Sequence, residues 1–257
     1  MRPVTDERAT KQPAEWHIVH VLRRTLWHID EGWDAIDGRH QRRWFAIMLF
    51  GLVALLAVTC ALVFVARTLE ERGLLAWERP FLEWFAQASP VPFSWAIWLE
   101  SPGNAIILWP LVLASAGIAA WRRRPLVALT LVAGFALLDA AVVLGWTIWK
   151  RARPDFIAGG AASPSDSFSA FPSGHVSQTI VAYGLLVLLW VEQTQSKGER
   201  AFAWSVLALL AAIVGVGRMR LGAHWPSDVV AGAIVGGFWL FFLGRALRRG
   251  EEGRARP

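Results

Sequence analysis

Cysteine is almost absent from this sequence, in which Cys60 is the only one. A single thiol excludes an intrachain disulfide and any metal site built from several cysteines. The sequence also lacks internal repeats and a boundary to a second domain, and its first long apolar block starts too late for a secretory signal. The fold prediction therefore depends on how apolar residues are distributed along a single domain.

Apolar residues account for 55% of the chain, and the mean hydropathy is +0.40. They occur in long blocks rather than in alternation with polar residues, which is typical of a polytopic membrane protein. We therefore predict an all-α protein with six transmembrane helices and an N-terminal amphipathic helix. The predicted spans cover residues 44–66, 104–121, 126–149, 173–191, 201–216 and 226–247.

The predicted amphipathic helix begins near Trp16, where apolar residues recur every three or four positions with charged residues between them. This pattern favours a helix that lies on the membrane surface or packs on the helical core. Its histidines, His17, His20 and His28, have no cysteine or matched carboxylate pattern beside them, so no metal site is predicted. A second short surface helix is predicted within residues 80–98.

Basic residues outside the spans indicate the orientation. Those on the side of the two termini outnumber those on the opposite side, so the positive-inside rule predicts cytoplasmic termini. We expect a cytoplasmic tail, disordered over 1–13, and an interfacial helix within 1–40, a membrane domain over 41–247 and a cytoplasmic basic tail over 248–257. The net charge of +6 reflects this topology and an affinity for anionic lipid headgroups, and no nucleic acid partner is predicted.

This topology brings three polar clusters to the outer membrane face. Arg153 and Pro154 follow the third span, Pro172 to His175 open the fourth, and the run from Arg218 to Asp228 joins the fifth to the sixth. The segment 155–171 between the first two clusters is predicted to be a loop rich in Gly, Ala and Ser. Helix parity places all three clusters on the same side of the bilayer.

The clusters contain groups that suit a phosphate. Arg153 and Arg218 carry planar cations that bind phosphate oxygens in pairs. Ser173 and Gly174 open a helix whose free backbone N–H groups form an anion site. The chemistry of these residues therefore favours a site for a phosphate group.

Two histidines at such a site permit a division of roles. His224 is the predicted nucleophile, since a neutral imidazole can attack phosphorus and form a phosphohistidine. His175 is the predicted general acid for the leaving oxygen. Asp228 follows His224 by one helical turn and is expected to accept a hydrogen bond from its ring N–H, which would hold the useful tautomer.

The order and spacing of these residues resemble the type 2 phosphatidic acid phosphatase (PAP2) family, membrane lipid phosphatases related to haloperoxidases. The resemblance covers residues 126–247 and depends on two motifs, Pro172-Ser173-Gly174-His175 and Arg218-x5-His224-x3-Asp228. It implies a six-helix membrane core and metal-independent hydrolysis of a phosphomonoester or diphosphate, with no cofactor. It also implies the catalytic roles given above and phosphate binding by Arg153, Arg218, Ser173 and Gly174.

Two positions depart from the family pattern. The family usually carries a lysine seven residues before the arginine of its Arg-Pro pair, where this chain has Trp146. Lys150 lies one helical turn later on the same face, so its long side chain is expected to bind the same phosphate. Gly217 replaces a serine that usually precedes the arginine of the second motif, and the missing hydroxyl is expected to weaken one phosphate contact.

Three other ionisable residues leave alternatives open. Asp139 either positions Lys150 or Arg153 or makes a structural polar contact between helices. Arg151 and Arg220 either bind phosphate or contact lipid headgroups.

The sequence thus predicts a lipid phosphatase of a bacterial inner membrane, with its site on the extracytoplasmic face and the lipid chain among the helices. Undecaprenyl diphosphate is the lead substrate, and phosphatidylglycerophosphate, phosphatidic acid and lipid A are the alternatives. A lipid phosphotransferase would use the same phosphohistidine. A transporter or structural membrane protein would not need His224, Asp228 and His175 together. The sequence leaves the oligomeric state open.

Overall fold

The computed structural model describes residues 14–157 and 169–251, and within them the chain is helical with no strand. The predicted disordered segment 1–13, most of the predicted loop 155–171 and the last six residues of the predicted basic tail lie outside this part of the chain. The helices are α1 (Ala14–Asp34), α2 (Gly38–Glu71), α3 (Glu78–Ala88), α4 (Phe93–Glu100), α5 (Ala105–Trp121), α6 (Pro125–Ile148), α7 (Gly174–Val191), α8 (Lys197–Arg220) and α9 (Pro226–Glu251).

Six helical segments are long and apolar enough to cross a membrane. They are α2, the combined segment Phe93–Trp121, α6, α7, α8 and the part Pro226–Arg248 of α9. The all-α, six-span prediction is therefore confirmed. Several helices continue past their apolar blocks; α8, predicted over 201–216, is an example. The Ser196 side chain caps its start by accepting a hydrogen bond from Glu199 N at 3.2 Å.

The predicted surface helix within 80–98 is two helices. Ser89 to Pro92 separate α3 from α4, and the two prolines in this segment cannot continue a helix ladder. A 3₁₀ turn, Ser101–Gly103, then connects α4 to α5, whose start is capped by the Asn104 side chain. Because of this connection, α4 lies against the body of the bundle instead of forming an isolated surface helix.

The core of the bundle lies where α6, α7 and α9 meet. Phe135, Leu185, Trp239 and Leu243 are fully buried there, and Trp239 Nε1 donates a hydrogen bond of 2.6 Å to the Gly134 carbonyl oxygen. Large apolar side chains on the outside of the bundle stay exposed, as in Phe64 of α2, with 73% of its surface accessible. Such an outer surface suits a hydrocarbon solvent.

Helix α1 packs across the turn between α5 and α6, at the end of the bundle opposite the start of α7. Glu31 forms an ion pair of 3.0 Å with Arg123, whose Nε also donates to His28 Nδ1 at 3.2 Å. The amphipathic helix is thus in contact with the helical core.

Candidate active site

The predicted site residues come from four places in the chain that meet at one end of the bundle. Arg151 and Arg153 follow the end of α6, and Ser173 immediately precedes α7, whose first two residues are Gly174 and His175. Arg218 lies in the last turn of α8, His224 in the following turn and Asp228 in the first turn of α9. The helix ends therefore bring together residues that are up to 77 positions apart, as in the pair Arg151 and Asp228.

The ring of His224 is buried and held by the main chain. Its Nδ1 lies 2.7 Å from the carbonyl oxygen of Ala170, whereas Asp228 Oδ2 is 3.6 Å away. A carbonyl oxygen only accepts hydrogen bonds, so this contact assigns the proton to Nδ1 and leaves the lone pair on Nε2. The expected direct hydrogen bond between His224 and Asp228 is thus replaced by one to a backbone carbonyl, which has no signature in the sequence.

Asp228 holds the turn that carries His224. Its Oδ2 accepts a hydrogen bond of 2.7 Å from Trp225 N, the residue just before α9, as the third helical residue does in a capping box. Its Oδ1 accepts a hydrogen bond of 2.5 Å from Arg151 Nη1. With its charge compensated in this way, Asp228 fixes the backbone beside His224 and lies close enough to stabilise a positive imidazole.

Arg151 is a buried centre of ion pairs. Its guanidinium contacts Glu70 at 3.1 Å, Glu78 at 2.5 Å and Asp228 at 2.5 Å, and it donates to Ser227 Oγ at 2.7 Å. Because these donors are directed to groups within the protein, the structure supports neither of the two expected roles, phosphate binding or headgroup contact. Glu78 was not predicted as part of the site, because it lies 73 positions from Arg151 and no local sequence pattern joins the two buried residues.

His175 lies near enough to His224, Arg218 and Arg153 for electrostatic interaction with each. Arg218 is buried, and its Nε makes no hydrogen bond to any described residue. The same holds for the buried hydroxyl of Ser173 among the residues that the structure describes. Buried polar atoms left without a partner are costly, so these two are suited to receive a polar ligand such as phosphate.

Burial lowers the pKa of His224 well below its ordinary value, and the positive charges of Arg218 and Arg153 lower it further. The carbonyl of Ala170 acts in the opposite direction but does not outweigh them. The imidazole is therefore neutral at physiological pH. A neutral ring with a free Nε2 is the form that can act as a nucleophile.

Trp146, which stands where the family has lysine, supports the turn before α7. Its Nε1 donates a hydrogen bond of 3.0 Å to the Pro172 carbonyl oxygen. Its ring also lies so close to Gly174 that a Cβ there would be 3.2 Å from Trp146 Cζ2. Trp146 therefore helps to position the backbone of Ser173 and Gly174 without supplying a charge.

Lys150 does not lie on the helix face that was expected to direct it to the phosphate. Helix α6 ends at Ile148, and the extended conformation of Trp149, with φ −132 and ψ 103, takes the chain off the helical path. Lys150 is consequently exposed and does not share a helix face with Trp146.

Two other ionisable residues, Asp139 and Arg220, make contacts within the protein. Asp139 accepts hydrogen bonds from Gln178 Nε2 at 2.7 Å and Trp109 Nε1 at 3.2 Å, so it makes a structural contact between α5, α6 and α7. Arg220 donates to the Val91 carbonyl oxygen at 3.1 Å and lies over the ring of Phe93, which ties it to the start of α4. Arg220 therefore serves packing within the protein.

Within residues 14–157 and 169–251, no group of three His, Cys, Asp or Glu side chains is arranged to hold a metal ion.

Comparison with known proteins finds that a family model, the PAP2 superfamily, matches residues 125–250. Phosphatidylglycerophosphatase B from Bacillus subtilis is 30% identical over 144 residues, which cover 55% of this chain and 68% of that protein. An undecaprenyl-diphosphatase from Sulfolobus acidocaldarius is 28% identical over 152 residues, covering 57% of this chain and 66% of that protein.

One solved structure shares the fold. It is the crystal structure of a transmembrane PAP2-type phosphatidylglycerolphosphate phosphatase from Bacillus subtilis, with a TM-score of 0.62 and 20% sequence identity. The match covers 76% of this chain and 94% of that one.

Proposed function

Because the chain belongs to the PAP2 superfamily, we propose that it is a membrane lipid phosphatase that removes a terminal phosphate through a phosphohistidine on His224. The observation that carries the proposal is the 2.7 Å contact between His224 Nδ1 and the Ala170 carbonyl oxygen. Because this contact assigns the proton to Nδ1, the free lone pair is on Nε2. The imidazole is buried and interacts electrostatically with Arg218 and Arg153.

The reaction proceeds in two displacements. His224 Nε2 attacks phosphorus, the bond from phosphorus to the lipid oxygen breaks, and His175 gives its proton to that oxygen. A water molecule then attacks the phosphohistidine, with His175 taking its proton, and inorganic phosphate leaves. Arg153 and Arg218 hold the phosphoryl oxygens with the hydroxyl of Ser173 and the backbone N–H of Gly174, in the roles that the family implies.

The lipid chain has a groove available beside the site. A groove of about 950 Å³ lies between α7, α8 and α9 and is lined at one end by Val176 and Val229, the residues that follow His175 and Asp228. Its other end is lined by Arg245 and Arg248. Arg245 follows Val229 by sixteen positions, a rise of about 24 Å along a helix, which is most of a hydrocarbon core of about 30 Å.

A groove of this length suits a long hydrocarbon chain, and undecaprenyl diphosphate is the proposed substrate. Phosphatidylglycerophosphate is the second candidate, because a relative named for that activity is 30% identical to this chain. Phosphatidic acid and lipid A are further alternatives. The proposed location is a bacterial inner membrane, with both termini cytoplasmic and the site facing the extracytoplasmic side.

A phosphate-release panel tests this function. Purified protein in vesicles would receive undecaprenyl diphosphate, phosphatidylglycerophosphate or phosphatidic acid, each with labelled terminal phosphate. We expect free labelled phosphate, with the highest kcat/KM for undecaprenyl diphosphate. Transfer of the label to a second lipid would identify a phosphotransferase, and no release from any lipid would contradict the proposal.

Filling the groove is expected to weaken binding of long-chain substrates. At Gly237, which lines the groove, an added Cβ meets no atom within 4 Å, so Gly237→Leu has room to fold. We expect KM for undecaprenyl diphosphate to rise on the order of tenfold, equivalent to about 1.4 kcal/mol of lost binding. A water-soluble short-chain phosphate, which does not reach this depth, is expected to keep its kinetic constants.

The matched control is Gly117→Leu. Gly117 also has open space around its Cβ position, but it lies on α5 and does not line the groove. Equal effects of the two substitutions on KM would show that the groove does not hold the lipid chain.

A further inference from the structure

Helix α4 lies across the end of α8 that carries Arg218. Gly217 faces its backbone so closely that a Cβ at this position would be 2.9 Å from Glu100 N and 3.0 Å from the Ala96 carbonyl oxygen. A serine here would collide with the main chain of α4. The close approach of α4 thus explains why glycine stands at the second position that departs from the family pattern.

The next residue of α8 forms an ion pair with the last residue of α4. Nη1 of Arg218 donates to the carboxylate of Glu100. The side chains of both residues are largely buried, with 9% and 14% of their surfaces exposed. Among the described residues Glu100 is the ion-pair partner of this buried cation, so the pair keeps Arg218 at this position.

Glu100 contacts the guanidinium of Arg218 through Nη1. Nη1 lies on the side of the Cδ atom, while Nε and Nη2 donate along the opposite edge. Nε is buried and makes no hydrogen bond within the described parts of the chain. An arginine edge with two parallel donors is the arrangement that binds phosphate oxygens in a bidentate manner.

The main chain around Glu100 is fixed from several sides. A Cβ at Gly103, in the 3₁₀ turn, would lie 2.8 Å from Thr179 Oγ1 and 3.1 Å from the His175 carbonyl oxygen, so this turn is seated on the first turns of α7. The hydroxyl of Tyr183 donates to the Pro102 carbonyl oxygen at 3.3 Å. The backbone next to Glu100, whose carboxylate contacts Arg218, is therefore packed against α7, the helix that also carries His175.

We propose that Glu100 is a positioning residue that holds Arg218 by Nη1 so that its Nε and Nη2 edge faces the phosphate. The inference rests on the proposed function, because it assigns a substrate group to that edge. Glu100 does not touch the reacting atoms. It acts by reducing the number of orientations that the guanidinium can adopt before the phosphate binds.

The test compares Glu100→Ala and Glu100→Gln with the wild type. Binding of inorganic phosphate would be measured by its effect on thermal unfolding, which does not require turnover, and kcat and KM would be measured with the lipid substrate. We expect Glu100→Ala to weaken phosphate binding and lower kcat, each on the order of tenfold. Glu100→Gln still offers an oxygen to Nη1 and is expected to stay within about threefold of wild type.

Glu83→Ala is the matched control, because Glu83 forms an exposed ion pair of 3.0 Å with Arg79 on α3. Its phosphate binding, kcat and KM are expected to match those of the wild type. If Glu100→Ala does not fold, Glu100→Asp replaces it, since this variant keeps the charge but withdraws the carboxylate from Nη1 and is expected to weaken phosphate binding.

Two results would overturn the proposal. One is phosphate binding that does not weaken after Glu100 is shortened. Unchanged binding would mean that the carboxylate has no role in it, and tighter binding would mean that the carboxylate competes with phosphate for Arg218. The other is an equal loss in the Ala and Gln variants, which would mean that the hydrogen bond to Nη1 has no role. Failure of the proposed function would be seen separately, as a wild-type protein that releases no phosphate from any lipid.

Discussion

Replacing His224 with asparagine is expected to lower kcat for phosphate release on the order of 10⁴-fold or more, the scale seen when an enzyme loses its nucleophile. The asparagine amide can take the place of Nδ1 and donate to the Ala170 carbonyl oxygen, which accepts at 2.7 Å in the wild type. What the variant lacks is Nε2, the atom with the free lone pair. The measurement is single-turnover release of labelled phosphate from the lipid.

The design separates loss of chemistry from loss of structure. Since the contact to Ala170 is kept, the variant is expected to unfold near the wild-type temperature and still bind inorganic phosphate. His20→Asn, at an exposed position on α1, controls for a histidine substitution remote from the site. A His224→Asn protein that keeps more than about one tenth of wild-type kcat would show that this imidazole is not the nucleophile.

The second large effect is expected for stability. Arg151→Met removes the cation that compensates Glu78 and Asp228, whose carboxylates have 1% and 0% exposed surface. Breaking a buried ion pair by removing one partner typically costs about 3–5 kcal/mol, because the remaining charge stays buried. We expect a loss of this size in the free energy of unfolding, measured by denaturant titration in detergent micelles.

Arg67→Met is the control for this substitution. Arg67 pairs with Glu71 at 2.9 Å, but both side chains are more than half exposed, so the loss is expected to stay within about 1 kcal/mol. Adding Glu78→Gln to Arg151→Met removes one of the stranded charges and should restore part of the stability. If Arg151→Met and Arg67→Met unfold alike, the buried network does not hold the turn of His224.

The membrane spans could be predicted from the sequence because each requires a block of about twenty apolar residues, and such blocks are visible without any tertiary information. Their ends were less predictable. A helix continues as long as its backbone groups find partners, so α2 runs over Gly38–Glu71 although its apolar block covers only 44–66. The end of α6 at Ile148 agrees with the predicted span to within one residue, but the extended conformation of Trp149, which takes Lys150 off the helical path, was not predicted.

The residues that the two motifs contain come together in the structure, whereas the groups that support them were not predicted. Ala170 acts through its carbonyl oxygen, which every residue has, so its side chain gives no signal. Glu78 and Glu100 are acidic residues in a segment with several others, and only tertiary contacts distinguish them. Gly217 could be recognised as unusual, but its reason, the close approach of α4, required the fold.

The central claim is that phosphate passes through a covalent bond to His224, and the stereochemistry at phosphorus tests it most directly. The substrate would carry a terminal phosphoryl group made chiral by isotopes and sulfur, and the configuration of the released thiophosphate would be determined. Each in-line displacement inverts phosphorus, so two successive displacements predict net retention. Net inversion would show that water attacks the lipid phosphate directly, and it would contradict the role proposed for His224.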